Sequence, residues 1–307
     1  MSVSDWLAGQ AATRPAATAL YAPRQKMAIF HYAEHRLAYT VHGRGPLTTV
    51  LLPGLLLSQK MQTPLARALA DRGHRVITLD PLGHGASDRP RESWRYSMSA
   101  FARQTLALLD HLDLPSAVVG GTSLGANITL ELAFQAPERV AGMVIEMPVL
   151  DNAIPACGAA FTPLLFALKF GERPLRALAR GARAVPRGAL PLIAERGLDW
   201  ISQDPAPSAA VLSGTLYGRV APDHGERCTL QAPALIIGHP RDPVHPFSDA
   251  GMLAAELPHG RLIDAHSVLE LRVRPRRLTA EIGAFVDECW AAATPRRTAR
   301  RRRAGAR

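Results

Sequence analysis

The chain has 307 residues, 47% of them hydrophobic, and a formal net charge of +10; this length and apolar content suit one α/β domain with an insertion better than two independent domains. Apolar runs stay short of the roughly 18 residues that a membrane span requires, and the nearest approach, Ala153 to Leu168, is broken by Pro155 and Pro163. Seven of the ten excess positive charges are arginines between Pro295 and Arg307, so the body is nearly balanced and specific nucleic-acid binding is not expected.

The opening MSVSDWLAGQAATRP carries Asp5 and has neither a basic start nor an apolar core. It does not read as a signal peptide, and a cytoplasmic location is expected. Residues 1–26, rich in Ala, Thr and Pro, read as a loosely ordered lead-in. Met27 to Val41 alternates like an edge hairpin and is followed by turn residues at His42 to Pro46. Thr48 to Leu52 reads as a buried strand ending at Pro53-Gly54-Leu55, Thr63 to Arg72 as an amphipathic helix closed by Gly73, and His74 to Asp80 as the next strand. A Gly-rich loop, Asp80 to Asp88, then leads to a helix over Ser99 to Leu112.

Ala117-Val118-Val119 reads as a strand and Ile128 to Gln135 as a helix, with Gly121-Thr122-Ser123-Leu124-Gly125 between them. This pentapeptide fits the Gly-x-Ser-x-Gly nucleophile elbow, whose glycines let strand and helix approach while a serine occupies a strained turn. Val140 to Met147 is another buried strand. Alternation then stops, and residues 151–227, rich in Ala, Leu, Arg and Pro, read as a helical cap over the strand ends. Pro233 to Gly238 resumes as a strand, Met252 to Leu257 as a helix, Arg261 to Ala265 as a last strand and Pro275 to Ala291 as a last helix. Strands alternating with helices predict a mostly parallel, doubly wound sheet. Residues 27–150 and 228–292 form its core, and residues 293–307 read as a disordered Arg-rich tail. Cys157, Cys228 and Cys289 are far apart with no metal-ligand spacing and read as reduced structural thiols.

A serine nucleophile requires an imidazole to take its proton and a carboxylate to orient that imidazole. The loops after the late strands supply Asp242 and His266, and also His245, three residues after Asp242; Glu146 and Asp151 follow the strand after the elbow. With the elbow, the DxxGHGxSD loop at Asp80 to Asp88, a late Asp and a later His, residues 27 to 292 resemble the α/β-hydrolase fold family. The resemblance implies Ser123 as nucleophile, Asp242 as acid and His266 as base, with Glu146 as alternative acid and His245 as alternative base. It further implies an oxyanion hole of backbone N–H groups at Leu55 and Leu124, and a structural role for the Asp80 to Asp88 loop. The sequence departs from the family's Gly-His at the base, reading Ala265-His266.

The implied activity is cofactor-independent hydrolysis, through an acyl-enzyme, of a small or medium ester or related acyl compound with an apolar part. Carbon–carbon bond hydrolysis of a ring-cleavage product on the same triad is the alternative, and a weakly catalytic ligand-binding module is another. Apolar residues around Phe161 to Phe170 suggest a pocket roof. Arg173, Arg176, Arg180, Arg183 and Arg187 offer contacts to an anionic substrate or a solvated basic face.

Overall fold

The computed structural model describes residues 27–186 and 192–304. The lead-in, Arg187 and residues 305–307 lie outside them. Eight strands form one sheet, β1 (Met27–Tyr32), β2 (His35–His42), β3 (Thr48–Leu52), β4 (Arg75–Asp80), β5 (Ala117–Thr122), β6 (Val140–Glu146), β7 (Ala234–Gly238) and β8 (Gly260–Asp264). Their spatial order is β1-β2-β4-β3-β5-β6-β7-β8. The hairpin joins antiparallel at β1/β2 and β2/β4, and every other pairing is parallel. Strands β3, β5 and β7 are buried at every position, as expected of strands covered on both faces.

That cover comes from two helical layers. One face packs against helices α1 (Thr63–Asp71) and the last helix, through Leu65, Leu69, Ile282, Phe285 and Val286. The opposite face packs against α2 (Met98–His111) and α3 (Leu124–Gln135), through Phe101, Leu108, Ile128 and Leu130. Ser97 starts α2 by accepting the Ala100 N–H at 3.1 Å. Between β6 and β7 lie α4 (Ile154–Phe170), α5 (Glu172–Ala184), α6 (Leu192–Ile201), α7 (Pro205–Leu216) and the short α8 (His224–Arg227). Helix α9 (Phe247–Glu256) joins β7 to β8, starting five residues before the sequence pattern does. Helices α10 (Glu270–Val273) and α11 (Arg276–Ala304) close the chain.

The expectation of disorder from residue 293 is corrected, since α11 continues to Ala304 with Pro295 inside it. Ala and Arg are among the better helix formers, so backbone propensity extends the helix where no apolar pattern calls for one.

The Asp80 to Asp88 loop is tied down by hydrogen bonds. The buried Asp80 carboxylate accepts from the Gln59 N–H at 2.5 Å, the Gln59 amide at 3.0 Å and the Ala86 N–H at 2.9 Å. Ser87 Oγ donates to the Asp80 carbonyl at 2.5 Å and accepts the Ala38 N–H of β2 at 2.9 Å. Gly85 has φ +48°, and a Cβ there would come within 2.1 Å of the Asp80 carboxylate. These bonds lock the loop against the sheet beside the strand ends.

Candidate active site

Ser123 sits between β5 and α3 with φ 54° and ψ −111°, a conformation that costs a non-glycine residue energy and persists only when its surroundings impose it. Its N–H donates to the Glu146 carbonyl at 2.8 Å, which fixes the turn to β6. A Cβ on Gly121 would lie 2.5 Å from the Gly125 carbonyl carbon, and one on Gly125 2.6 Å from the Leu52 carbonyl oxygen. Both glycines are therefore required by backbone approach, and together they press the serine outward.

The loop after β7 supplies the partner groups. Asp242 Oδ1 accepts the N–H groups of Val244 at 2.8 Å and His245 at 2.9 Å, curling the chain so that the His245 ring faces the same carboxylate. Asp242 Oδ2 lies 2.9 Å from His245 Nδ1, and His245 Nε2 lies 2.9 Å from Ser123 Oγ. An ionised carboxylate only accepts, so Nδ1 carries the proton and Nε2 is left to accept from the serine hydroxyl. Burial would raise the Asp242 carboxyl, but hydrogen bonds from the His245 ring and from the backbone N–H groups of His245 and Val244 hold it at about 2. The arrangement is competent to draw a proton from Ser123.

His266 is not beside Ser123, and the expected position of the base is corrected accordingly. Its side chain is 76% exposed, with Nδ1 3.9 Å from Glu270 Oε2. The Ala265 N–H extends the β8 ladder by donating to the Gly238 carbonyl at 2.8 Å, and its side chain is buried. Successive side chains of an extended segment face opposite ways, so His266 points to solvent. Ala265 is absent from the positive-φ residues, so the lack of glycine there carries no strain.

Glu146 is likewise not beside the imidazole of His245. It is buried, forms an ion pair with Arg272 at 2.7 Å, accepts from Thr122 Oγ1 and lies 3.5 Å from His239 Nε2. Burial raises its carboxyl, but the Arg272 charge, the nearby His239 ring and the hydrogen bond from Thr122 outweigh burial and hold it at about 2. Arg272 Nη2 also donates to Thr122 Oγ1 at 2.8 Å, so α10 is bonded to the residue before the serine. No local pattern signals this contact, because its members are 126 and 150 positions apart in the chain. The signal missed for His245 was local, since an Asp accepts readily from N–H groups two and three residues on.

The Leu124 N–H opens α3 and so has no acceptor within the helix. Leu55 lies in the turn after β3, which is closed by the Leu57 N–H on the Gly54 carbonyl at 3.0 Å, with Leu56 at φ 57°. Ser123, His245 and Leu55 line a cavity of about 750 Å³ whose apolar walls include Leu57, Met61, Phe161, Trp200 and Leu269. Phe161 and Trp200 come from α4 and α6. Arg89 also lines the cavity, donating to Gln203 Oε1 at 2.9 Å. None of Arg173, Arg176, Arg180 and Arg183 lines it.

Residues 49–169 match the family model described as the alpha/beta hydrolase fold. The chain is 31% identical over 105 residues to the 2-hydroxymuconate semialdehyde hydrolase of Pseudomonas sp. (strain CF600), covering 34% of each protein. The curated relatives it matches are spanned over about a third of their own length. It is similar to the structure of a hydrolase from Pseudomonas aeruginosa PA01, with TM-score 0.71 and 22% identity over 86% of this chain and 99% of that one. The enol-lactonase from Burkholderia xenovorans LB400 superimposes with TM-score 0.70 and 20% identity, over 85% of this chain and 100% of that one. At such identities the structural likeness shows the fold alone. With the family-model match over residues 49–169, the eight-stranded sheet and the elbow in its place between β5 and α3, the chain has the α/β-hydrolase fold.

Proposed function

We propose that the protein is a cofactor-independent serine hydrolase acting on a small or medium ester, lactone or related acyl compound with an apolar part. The observation that carries this reading is the continuous hydrogen-bonded chain Ser123–His245–Asp242 opening on a largely apolar cavity. Ser123 Oγ attacks the acyl carbon as His245 Nε2 takes its proton, and the Asp242 carboxylate stabilises the resulting imidazolium. The backbone N–H groups of Leu124 and Leu55 receive the developing oxyanion; one such donor typically contributes about 2.7 to 4 kcal/mol to the transition state. His245 returns the proton to the leaving group, then activates a water that releases the acyl group from Ser123.

The experiment is burst release from a p-nitrophenyl ester together with labelling by a fluorophosphonate. The expected result is one label per chain, lost in Ser123→Ala along with turnover; full activity in Ser123→Ala removes the serine from the mechanism. Hydrolysis of a carbon–carbon bond in a ring-cleavage product is the second reading, favoured by Arg89 in the cavity wall, where a guanidinium suits a substrate carboxylate. A side-by-side assay of both substrate types separates the two. His266 out of reach of Ser123 would favour a weakly catalytic binding module, but His245 at 2.9 Å from Ser123 supplies a base within proton-transfer distance and supports the hydrolytic reading instead.

A further inference from the structure

Helix α4 carries one charged residue, Lys169, and turns two different faces outward and inward. Its inner face buries Cys157 and Leu165, with Phe161, Leu164 and Leu168 packed against the core. Its outer face presents Pro155, Ala159, Pro163, Phe166 and Phe170, spaced four, four, three and four residues apart, and every one is exposed. The helix of a soluble surface would place polar residues on that stripe. Phe166 and Phe170 instead stack at 5.7 Å between ring centroids while 55% and 80% exposed.

The chain then bends by 96° into α5. Arg173, Arg176, Arg180 and Arg183 recur there every three or four residues and so share one face. Arg176 pairs with Glu172 and Arg183 donates to the Ser202 carbonyl at 2.8 Å, whereas the Arg173 and Arg180 side chains are exposed. Glu172, the acid of this helix, is occupied by Arg176.

We infer that the outer face of α4 and the arginine face of α5 dock the protein onto an anionic lipid surface, the Phe166 and Phe170 rings entering the headgroup boundary while Lys169, Arg173 and Arg180 meet lipid phosphates. Apolar burial and basic attraction are the two contributions that interfacial helices combine. Among the described residues no single helix is long and apolar enough to cross a membrane, and the 96° bend suits lying on a surface. A second copy of the chain fits this patch less well. A two-fold contact between like patches brings Lys169, Arg173 and Arg180 toward their own copies, with Glu172 already paired. The inference is independent of the hydrolytic reading.

The test is co-sedimentation of the full chain with vesicles of equal parts phosphatidylglycerol and phosphatidylcholine, and with phosphatidylcholine alone. Wild type is expected on the anionic vesicles, weakening as salt rises. The double variant Phe166→Ser/Phe170→Ser loses about 30-fold in partitioning, and Arg173→Gln/Arg180→Gln loses about 25-fold on anionic vesicles, roughly fivefold for each arginine. Circular dichroism and melting temperature stay those of the wild type, because the four side chains are exposed. Wild-type partitioning in both double variants assigns the binding to the arginines after Pro295 and overturns the inference. Absence of vesicle binding overturns it too, and dimerisation that Phe166→Ser/Phe170→Ser abolishes would then give the patch to a second copy.

Discussion

The loops that leave β7 and β8 each hold a histidine and a carboxylate within four residues, Asp242 with His245 and His266 with Glu270, yet only the first pair reaches Ser123. Asp242 spends one oxygen on its own backbone and keeps the other for the imidazole. Glu270 is committed elsewhere, accepting from Arg277 Nε at 2.8 Å and Nη2 at 2.9 Å and from the His266 N–H at 2.5 Å. The ring of His266 is left in solvent. The difference teaches that an acid near a histidine in sequence orients it only when the acid has a free oxygen and the backbone turns the ring toward it.

The comparison breaks most easily at His245. Replacing it with Ala is expected to lower kcat by about 10⁴-fold, the usual scale for a triad member, read from steady-state turnover of a p-nitrophenyl ester. Equal loss in His266→Ala would erase the distinction between the loops. Arg272→Met is expected to cost about 3 kcal/mol in denaturant unfolding, since it leaves the buried Glu146 carboxylate without its cation.

The pH profile sharpens the same point. Glu146 falls from its ordinary 4.5 to about 2 in the fold, so its ionisation stabilises fully above about pH 4.5 and this contribution fades as pH drops toward 2. Glu146→Gln should therefore flatten the fall in stability between those values, measured by urea midpoints across the range. A smaller effect belongs to Ala265. With no positive φ to relieve, Ala265→Gly is expected to destabilise by about 0.5 to 1 kcal/mol through backbone entropy, where a residue in need of glycine would be stabilised. His266→Ala comes last, changing turnover less than about twofold and stability by less than about 0.5 kcal/mol.

Much of the fold was legible because its signals are local. The apolar runs of β3, β5, β6 and β7 are read directly from residues that stand side by side, and the elbow is a five-residue pattern whose glycines are forced by contacts 2.5 and 2.6 Å away. The helical character of residues 154–184 and 205–216 was likewise legible, as was the apolar run that brings Phe161 to the cavity. Helix α11 is not legible beyond residue 292, because apolar periodicity ends there while helix propensity does not.

By itself the amino-acid order determined a parallel sheet with Ser123 at a strand-to-helix turn, since hydrophobic period and glycine placement act over a few residues. Only the tertiary structure decided which imidazole meets that serine, because the contact joins residues 122 positions apart and depends on where the loop after β7 emerges. The same holds for Glu146 and Arg272, separated by 126 positions. A hydrogen bond tolerates only a few tenths of an ångström in distance, and no local pattern in the chain fixes a position in space that closely.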